Sequence, residues 1–401
     1  MTAVVTGLGV LAPTGAGVET YWAATLAGRS ALAPPTRFDA TGYPHRLAGE
    51  IDLDVAALVP RRLLAQTDHM TRLALVAAEW ALADAVLEPA EQPEYAMSVA
   101  TACSSGGFEF GQRELQKLWG HGPHQVSAYQ SFAWFYAVNT GQISIRHGMR
   151  GPSGVLVAEQ AGGLDVLGQA RRLLRGPAAL VVSGAVDASL CPWGWVATGT
   201  SGRVSTSDDS ARAFLPFDAA AGGHVVGEGG ALLVVEEAAA AAARGVTRPY
   251  GTVAGYAATF DPRDPRREPG LRRAVVGALA DAGLEPSDVG VVYADAAGTP
   301  ELDEQEAAAL RDVFGANRVP VTAPKAGVGR LSSGGGPLDV ATALLGLRDA
   351  VVPPTPNVTA PRPDLGLDLV VGGAREVEHD AALVLARGQG GFNAAVVVTR
   401  P

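Results

Sequence analysis

The segment spanning residues 154–165 has the pattern of a strand, a tight turn and the start of a helix, with Gln160 at the turn. The apolar residues 155–158 predict a short buried strand, and the small residues after Gln160 permit a sharp reversal into a helix. Such a turn holds the side chain at its apex beside a helix N-terminus, which favours negative charge. A Cys or Ser there would be a nucleophile. The amide of Gln160 forms hydrogen bonds but cannot carry an acyl group, so the predicted site has the layout of an acyl-transfer site without its reacting atom.

The composition restricts the class of protein. The 401 residues are 47% apolar and 18% charged, which is typical of a globular chain with two domains or two closely packed halves. A net charge of −10 argues against nucleic acid as a partner. No apolar run reaches the roughly 20 residues of a membrane helix, so we expect no membrane association. We expect Cys103 and Cys191 to be buried and reduced, and the protein to be cytoplasmic.

Predicted strands and helices alternate along the chain, which is typical of an α/β fold. Strands are predicted over residues 3–10, 95–100, 179–184, 230–236, 251–258, 289–294, 319–323, 382–386 and 394–399. Helices are predicted over residues 18–27, 69–85, 110–119, 161–175, 272–282, 301–314 and 338–349. The run 238–244 is expected to continue a strand, and Pro249 follows it. We therefore divide the chain into an N-terminal half, residues 1–249, and a C-terminal half, residues 250–401.

Three motifs resemble those of the β-ketoacyl synthases, which have the thiolase fold. The segment Ala158-Glu-Gln160-Ala-Gly-Gly resembles the Cys elbow of that family with Gln in the Cys position. The segment Tyr293-Ala-Asp295-Ala-Ala-Gly-Thr-Pro lies where the family carries Asn-Ala-His-Gly-Thr-x-Thr-Pro. Pro216-Phe-Asp, with the later Gly-Glu-Gly at 227–229, resembles the family's mid-chain motif. The resemblance extends over residues 1 to 401 and implies a thiolase-like five-layer αβαβα fold built from two similar halves.

The departures from the family pattern fall on the reacting groups. In an active synthase, a Cys attacks the acyl thioester and two histidines stabilise the enolate and the thioester oxygen. Here these positions read Gln160, Asp295 and Arg330. Asp295 is an anion that would oppose a developing oxyanion, and Arg330 cannot act as a base. The family's gating Phe reads Gln389, and Lys325 alone matches.

This set of departures resembles the chain-length factor, the second ketosynthase-like subunit of bacterial type II polyketide synthases. The resemblance implies a non-catalytic subunit that forms a heterodimer with a ketosynthase alpha subunit whose Cys is intact. The growing poly-β-ketone, made from malonyl units on acyl carrier protein, would extend into a tunnel at the subunit interface that ends on this chain. The resemblance implies that the chain alone does not condense acyl units and that the heterodimer is the active acyltransferase. It also implies a role in antibiotic biosynthesis. No cofactor and no metal are implied, because the substrates arrive on the phosphopantetheine of the carrier protein.

One predicted helical face carries the residues that would shape this tunnel. Phe108, Gly111 and Leu115 are spaced i, i+3 and i+7, and they match the family's gating positions. Gly111 costs about 1 kcal/mol relative to Ala in a helix, so we expect its missing side chain to open space; a helix start or close packing is the alternative. Because Gly111 and Leu115 are smaller than the Thr and Phe of the family, we predict a product longer than the eight-unit class, about ten units.

Other residues leave alternatives open. Trp193 and Thr198 either line the same tunnel or belong to the core or interface, and the aromatic residues 131–136 are expected at the dimer interface. Gln160 either assists malonyl decarboxylation to supply an acetyl starter or has a structural role. The structural role is favoured because Asp295 and Arg330 also replace the two histidines of the synthase site. These two residues are predicted to form an ion pair. A further alternative is a scaffold needed only for the solubility of its partner.

Overall fold

The computed structural model describes residues 2–264 and 267–401. Within them, twelve strands form one mixed sheet. In the N-terminal half the strands lie in the order Gly154–Leu156, Met97–Ala102, Leu180–Asp187, Gly229–Glu237 and Ala3–Ala12, with Gly15–Ala16 beside the last. In the C-terminal half they lie in the order Asp368–Leu369, Pro320–Thr322, Val291–Tyr293, Ala381–Gly388, Phe392–Thr399 and Gly251–Phe260.

The two halves repeat one topology. In each half, the first strand of the sheet pairs antiparallel with the last one in sequence, Gly229–Glu237 or Phe392–Thr399. On its other side, that last strand pairs antiparallel with Leu180–Asp187 or Ala381–Gly388. Two further strands then add to the sheet in parallel. The halves join where Ala3–Ala12 meets Gly251–Phe260, with only Val4 opposite Thr252 and Val5 opposite Gly251. The repeat agrees with the prediction of two similar halves.

Five layers follow from the burial of both faces of each half-sheet. Val181 packs in a central hydrophobic cluster and Val182 in an outer one, and Val396 and Val397 divide in the same way. This alternation matches strands covered by helices on both faces. The central helices are Gly162–Leu173 and Gly335–Asp349; the outer helices are His69–Asp84 and Val138–His147 on one side, and Gly270–Ala282 and Pro300–Phe314 on the other. The predicted αβαβα fold is confirmed.

Short elements complete the fold. The remaining helices are Val18–Leu26, Val55–Leu58, Arg61–Leu64, Phe108–His121, Gln130–Ala133, Pro192–Gly199 and Ala238–Ala243. Small sheets are formed by Leu32–Ala33, Ala48–Gly49 and Val226–Gly227, and by Val351–Val352 with Arg375–Glu376. Among the described residues, no helix is both long enough and apolar enough to cross a membrane.

Two local predictions are wrong. The run 238–244 is a helix, Ala238–Ala243, and does not continue a strand, because alanine has the highest helix propensity and the Glu237 carboxylate caps the first turn by accepting from the amides of residues 239 and 240. The strand before the elbow is Gly154–Leu156, and it is a partly exposed edge strand where a buried strand was predicted. The helices Val138–His147 and Pro192–Gly199 were not predicted from the sequence.

Candidate functional site

The predicted elbow is present, and Gln160 is buried at its apex. It lies between the strand Gly154–Leu156 and the helix Gly162–Leu173, and the preceding Glu159 has a positive φ of 51°. A Cβ on Gly163 would lie 2.0 Å from the carbonyl oxygen of Ser333, so this position admits no side chain. The elbow is therefore pressed directly against a loop of the C-terminal half.

Asp295 is the centre of the polar site. Its Oδ1 accepts a hydrogen bond from Nε2 of Gln160 at 2.9 Å and from the backbone N–H of Arg387 at 2.8 Å. Nη2 of Arg330 lies 3.0 Å from each carboxylate oxygen, and the same guanidinium donates to the carbonyl oxygens of Asp295 and Arg387. Asp295 is fully buried and Arg330 nearly so. The predicted ion pair between these two residues is confirmed.

The surrounding charges keep Asp295 ionised. Burial alone would raise its pKa, but the positive charges of Arg330, Lys325 and Arg387 hold the pKa below its ordinary value. Glu306 lies on the helix Pro300–Phe314 and accepts the backbone N–H groups of residues 295 and 296, at 2.7 and 2.9 Å. Burial, followed by the charge of Asp295, raises the pKa of Glu306 to about 7.

Lys325 is engaged in a separate buried ion pair. Its Nζ lies 2.5 Å from Oδ2 of Asp339, on the central helix Gly335–Asp349. Burial raises the pKa of Asp339 to about 6 although the charge of Lys325 opposes the shift. The one site residue that matches the synthase pattern therefore has an internal partner in this chain.

Gln389 lies at the outer edge of the site. It is exposed in the turn between the strands Ala381–Gly388 and Phe392–Thr399, and its backbone N–H donates to Oε2 of Glu159 at 2.8 Å. This contact fastens the turn to the elbow through the main chain.

A cavity of about 370 Å³ brings most of the predicted residues together. The predicted residues that line it are Phe108, Gln160, Thr198, Asp295, Arg330 and Gln389. His224 also lines the cavity; burial, followed by the charge of Arg330, lowers its pKa to about 3, which makes its ring a weak base. Because Nε2 of Gln160 is already bound to the carboxylate of Asp295 at 2.9 Å, the geometry favours the structural role of Gln160 over decarboxylation.

The helix Phe108–His121 carries the three predicted tunnel residues, but Gly111 does not face open space. The ring of Phe108 stacks on that of Trp193, with centroids 4.6 Å apart and planes inclined by 7°. A Cβ on Gly111 would lie 3.0 Å from Cζ3 of the same indole. The expectation that Gly111 opens space is therefore corrected: Trp193 fills the volume, and close packing explains the glycine.

The two tryptophans of the helix Pro192–Gly199 differ in environment. Trp195 is fully buried and its Nε1 donates to the carbonyl oxygen of His45, so it belongs to the core. Trp193 is 37% exposed and lines a surface groove. That groove is lined by Gln112, Leu115, Gln116, Trp119, Gly120 and Trp193. Thr198 faces the cavity at the elbow instead.

Five aromatic side chains between residues 119 and 136 are exposed in the single chain. Trp119 is 83% exposed, and four further aromatic residues are partly exposed: Tyr129, Trp134, Phe135 and Tyr136. Exposed aromatic clusters of this size mark interaction surfaces in soluble proteins. The predicted interface position of residues 131–136 stays a prediction.

Sequence reasoning missed three contributors to the site. Glu306 braces the backbone of Asp295, and Arg387 binds that carboxylate through its backbone N–H, which leaves no side-chain signal in the sequence. Asp187 links the halves, because it accepts the backbone N–H groups of Ser104 and Ser333 at 3.1 and 3.0 Å. Its position at the end of the buried strand Leu180–Asp187 was the available signal.

Comparisons with known proteins agree with this geometry. The family model for the β-ketoacyl synthase N-terminal domain matches residues 2–241, and the model for the C-terminal domain matches residues 250–359. The chain is 61% identical to the tetracenomycin polyketide synthase ketoacyl synthase beta subunit of Streptomyces glaucescens, over 99% of this chain and 98% of that protein. It is 58% identical to the actinorhodin polyketide β-ketoacyl synthase 2 of Streptomyces coelicolor, over 100% and 99%.

The solved structure of the ishigamide ketosynthase/chain length factor is similar to the whole chain. The TM-score is 0.91 at 27% sequence identity, with 100% of this chain and 99% of that chain covered. The resemblance drawn from the motifs is thus confirmed. The chain belongs to the β-ketoacyl synthase family, and within it to the ketoacyl synthase beta subunits, or chain-length factors, of type II polyketide synthases.

Proposed function

We propose that this chain forms a heterodimer with a ketosynthase alpha subunit that carries the reactive Cys, and that it provides a wall of the polyketide tunnel. One observation supports the proposal above the others: Gln160 occupies the nucleophile position, and its amide is bound to the buried carboxylate of Asp295. Gln160 cannot carry an acyl group, and the charges of Asp295 and Arg330 are paired with each other within the chain. The acyl group must then be held by another subunit.

The substrates of the complex follow from the same proposal. Malonyl units arrive on the phosphopantetheine of an acyl carrier protein, and the subunit itself needs no cofactor. We place the complex in the cytoplasm, in keeping with Cys103 and Cys191, which are both free and buried.

The exposed helix face is the part of this subunit that we assign to the tunnel. Leu115 and Trp193 line the groove on the helix Phe108–His121, and Phe108 lines the neighbouring cavity. The small side chain of Leu115 in the groove supports a chain of about ten units, with the position of Trp193 deciding where the tunnel ends.

The test is coexpression with the partner ketosynthase and a carrier protein, followed by mass analysis of the released polyketide. Gly111→Trp adds a large side chain at a position whose Cβ would lie 3.0 Å from Cζ3 of Trp193, so we expect the two indoles together to fill the space between the cavity and the groove and to shorten the product. Asp364→Ala, in an exposed ion pair with Arg362, is the control and leaves the length unchanged. An unchanged length in Gly111→Trp, with turnover retained, would support the scaffold alternative and overturn the tunnel proposal.

The decarboxylase alternative has its own test. Gln160→Ala, with the partner present, is assayed for turnover of malonyl carrier protein and for condensation. We expect both to be retained, because Gln160 is bound to Asp295 as a structural group. Loss of acetyl primer formation with condensation intact would favour the decarboxylase.

A further inference from the structure

The stacked rings of Phe108 and Trp193 separate two open spaces in this subunit. Phe108 lines the cavity at the elbow, and Trp193 lines the groove on the helix Phe108–His121. The rings are nearly parallel, with a centroid distance of 4.6 Å. We name this pair the aromatic partition, because moving Trp193 would remove one of the two rings between the cavity and the groove.

The partition depends on the position of a short helix. Trp193 is the second residue of the helix Pro192–Gly199, and N–H groups in a first helical turn have no partner within the helix. The residue before that helix, Cys191, offers the first turn only its thiol sulfur, which is a weak acceptor. The backbone N–H of Trp193 donates to Oε1 of Gln112 at 2.7 Å. Gln112 therefore supplies a cap from a different helix.

Gln112 is placed to act on the partition from the same helix that forms its other side. It follows Gly111 directly and lies one turn after Phe108. Phe108 supplies the stacking surface, Gly111 leaves room for the indole, and Gln112 fixes the backbone that carries it. Three contacts from a single helical turn thus hold Trp193.

We propose that Gln112 is a positioning residue for chain-length control, which holds Trp193 across the cavity through its amide oxygen. The inference rests on the proposed tunnel function. Without this acceptor, the backbone N–H of Trp193 keeps only the thiol sulfur of Cys191, a weak acceptor, and the indole is held less firmly on Phe108. The partition then opens, and longer chains fit.

The experiment compares Gln112→Leu, which removes the acceptor at similar volume, with Gln112→Glu, which keeps an acceptor oxygen. Arg113→Gln, on the exposed side of the same helix, is the control. Each variant is coexpressed with the partner ketosynthase and carrier protein, and the lengths of the released polyketides are measured relative to total product. We expect Gln112→Leu to raise the ratio of longer to shorter chains about five-fold, the population change for loss of one helix cap. Gln112→Glu and Arg113→Gln retain the original ratio.

Trp193→Ala separates failure of this inference from failure of the proposed function. If Trp193→Ala lengthens the product and Gln112→Leu does not, the positioning role of Gln112 is wrong and the tunnel proposal stands. If Gln112→Glu changes the lengths as much as Gln112→Leu, the amide oxygen is not the cause and the inference is also overturned. If Trp193→Ala leaves the lengths unchanged, the aromatic partition does not control length and the inference is overturned; if Gly111→Trp leaves them unchanged with turnover retained, the tunnel proposal itself fails. Gln112→Met, a second variant without the acceptor, replaces Gln112→Leu if the latter does not assemble with the partner.

Discussion

The polar site around Asp295 and the groove on the helix Phe108–His121 differ in how their side chains are buried and paired within the chain. At the polar site, Asp295 binds Arg330, Gln160 and the backbone of Arg387, all within the chain. On the helix, Trp119 is 83% exposed. The charged groups of the polar site are buried and paired within the chain, whereas the aromatic side chain on the helix is left to solvent in the single chain. Variants at the polar site should therefore affect stability, and variants on the helix should affect assembly and product length.

Removing the carboxylate of Asp295 is the strongest test of the first half of this comparison. Asp295→Ala leaves the buried guanidinium of Arg330 without its partner, so we expect a loss of about 3–5 kcal/mol in the free energy of unfolding. Chemical denaturation of the purified chain measures it. The exposed pair of Arg362 and Asp364 provides the control, for which Asp364→Ala should cause no measurable loss. Equal stability of Asp295→Ala and the unmodified chain would show that the ion pair does not stabilise the fold.

Trp119 tests the second half of this comparison, the exposed face of the helix Phe108–His121. Because its side chain is mostly exposed, Trp119→Ser should leave the unfolding of the isolated chain unchanged. We expect binding to the partner ketosynthase to weaken about ten-fold or more, as for an aromatic residue at the centre of an interface. Titration of labelled partner measures the affinity. A destabilised chain with unchanged affinity would reverse the comparison.

The pH dependence of stability sharpens the description of the polar site. The pKa of Glu306 is about 7 in the folded chain, above its ordinary value of 4.5. The folded state then holds a proton that the unfolded state has lost, so this contribution to stability is complete below pH 4.5 and is lost as pH rises towards 7.

Comparison with Glu306→Gln isolates this contribution. The unmodified chain should lose stability relative to the variant between pH 5 and 7, by at most about 1.4 kcal/mol per pH unit, and the difference should level off above pH 8. Unfolding curves at several pH values measure it. A difference that does not vary with pH would show that Glu306 titrates normally.

Local patterns in the sequence predicted the strands and helices better than the contacts between side chains within the site. Apolar runs located the nine predicted strands to within a few residues, because strands buried on both faces leave continuous apolar segments. The ion pair of Asp295 and Arg330 was predictable because the family resemblance places these two charged residues at the positions of the two synthase histidines. The placement of Trp193 over Gly111 was not, since it depends on two helices that are far apart in the sequence. Gln112 gave no signal either, because its partner is a backbone N–H.

The central claim is that this chain contributes shape to the reaction and the partner contributes the reactive sulfur. Intact-protein mass spectrometry of the heterodimer, after incubation with malonyl carrier protein, tests it most directly. We predict acyl adducts on the partner ketosynthase and none on this chain, whose nucleophile position is Gln160. An acyl adduct on this chain that is elongated on further incubation, with the chain alone or in the complex, would contradict the account.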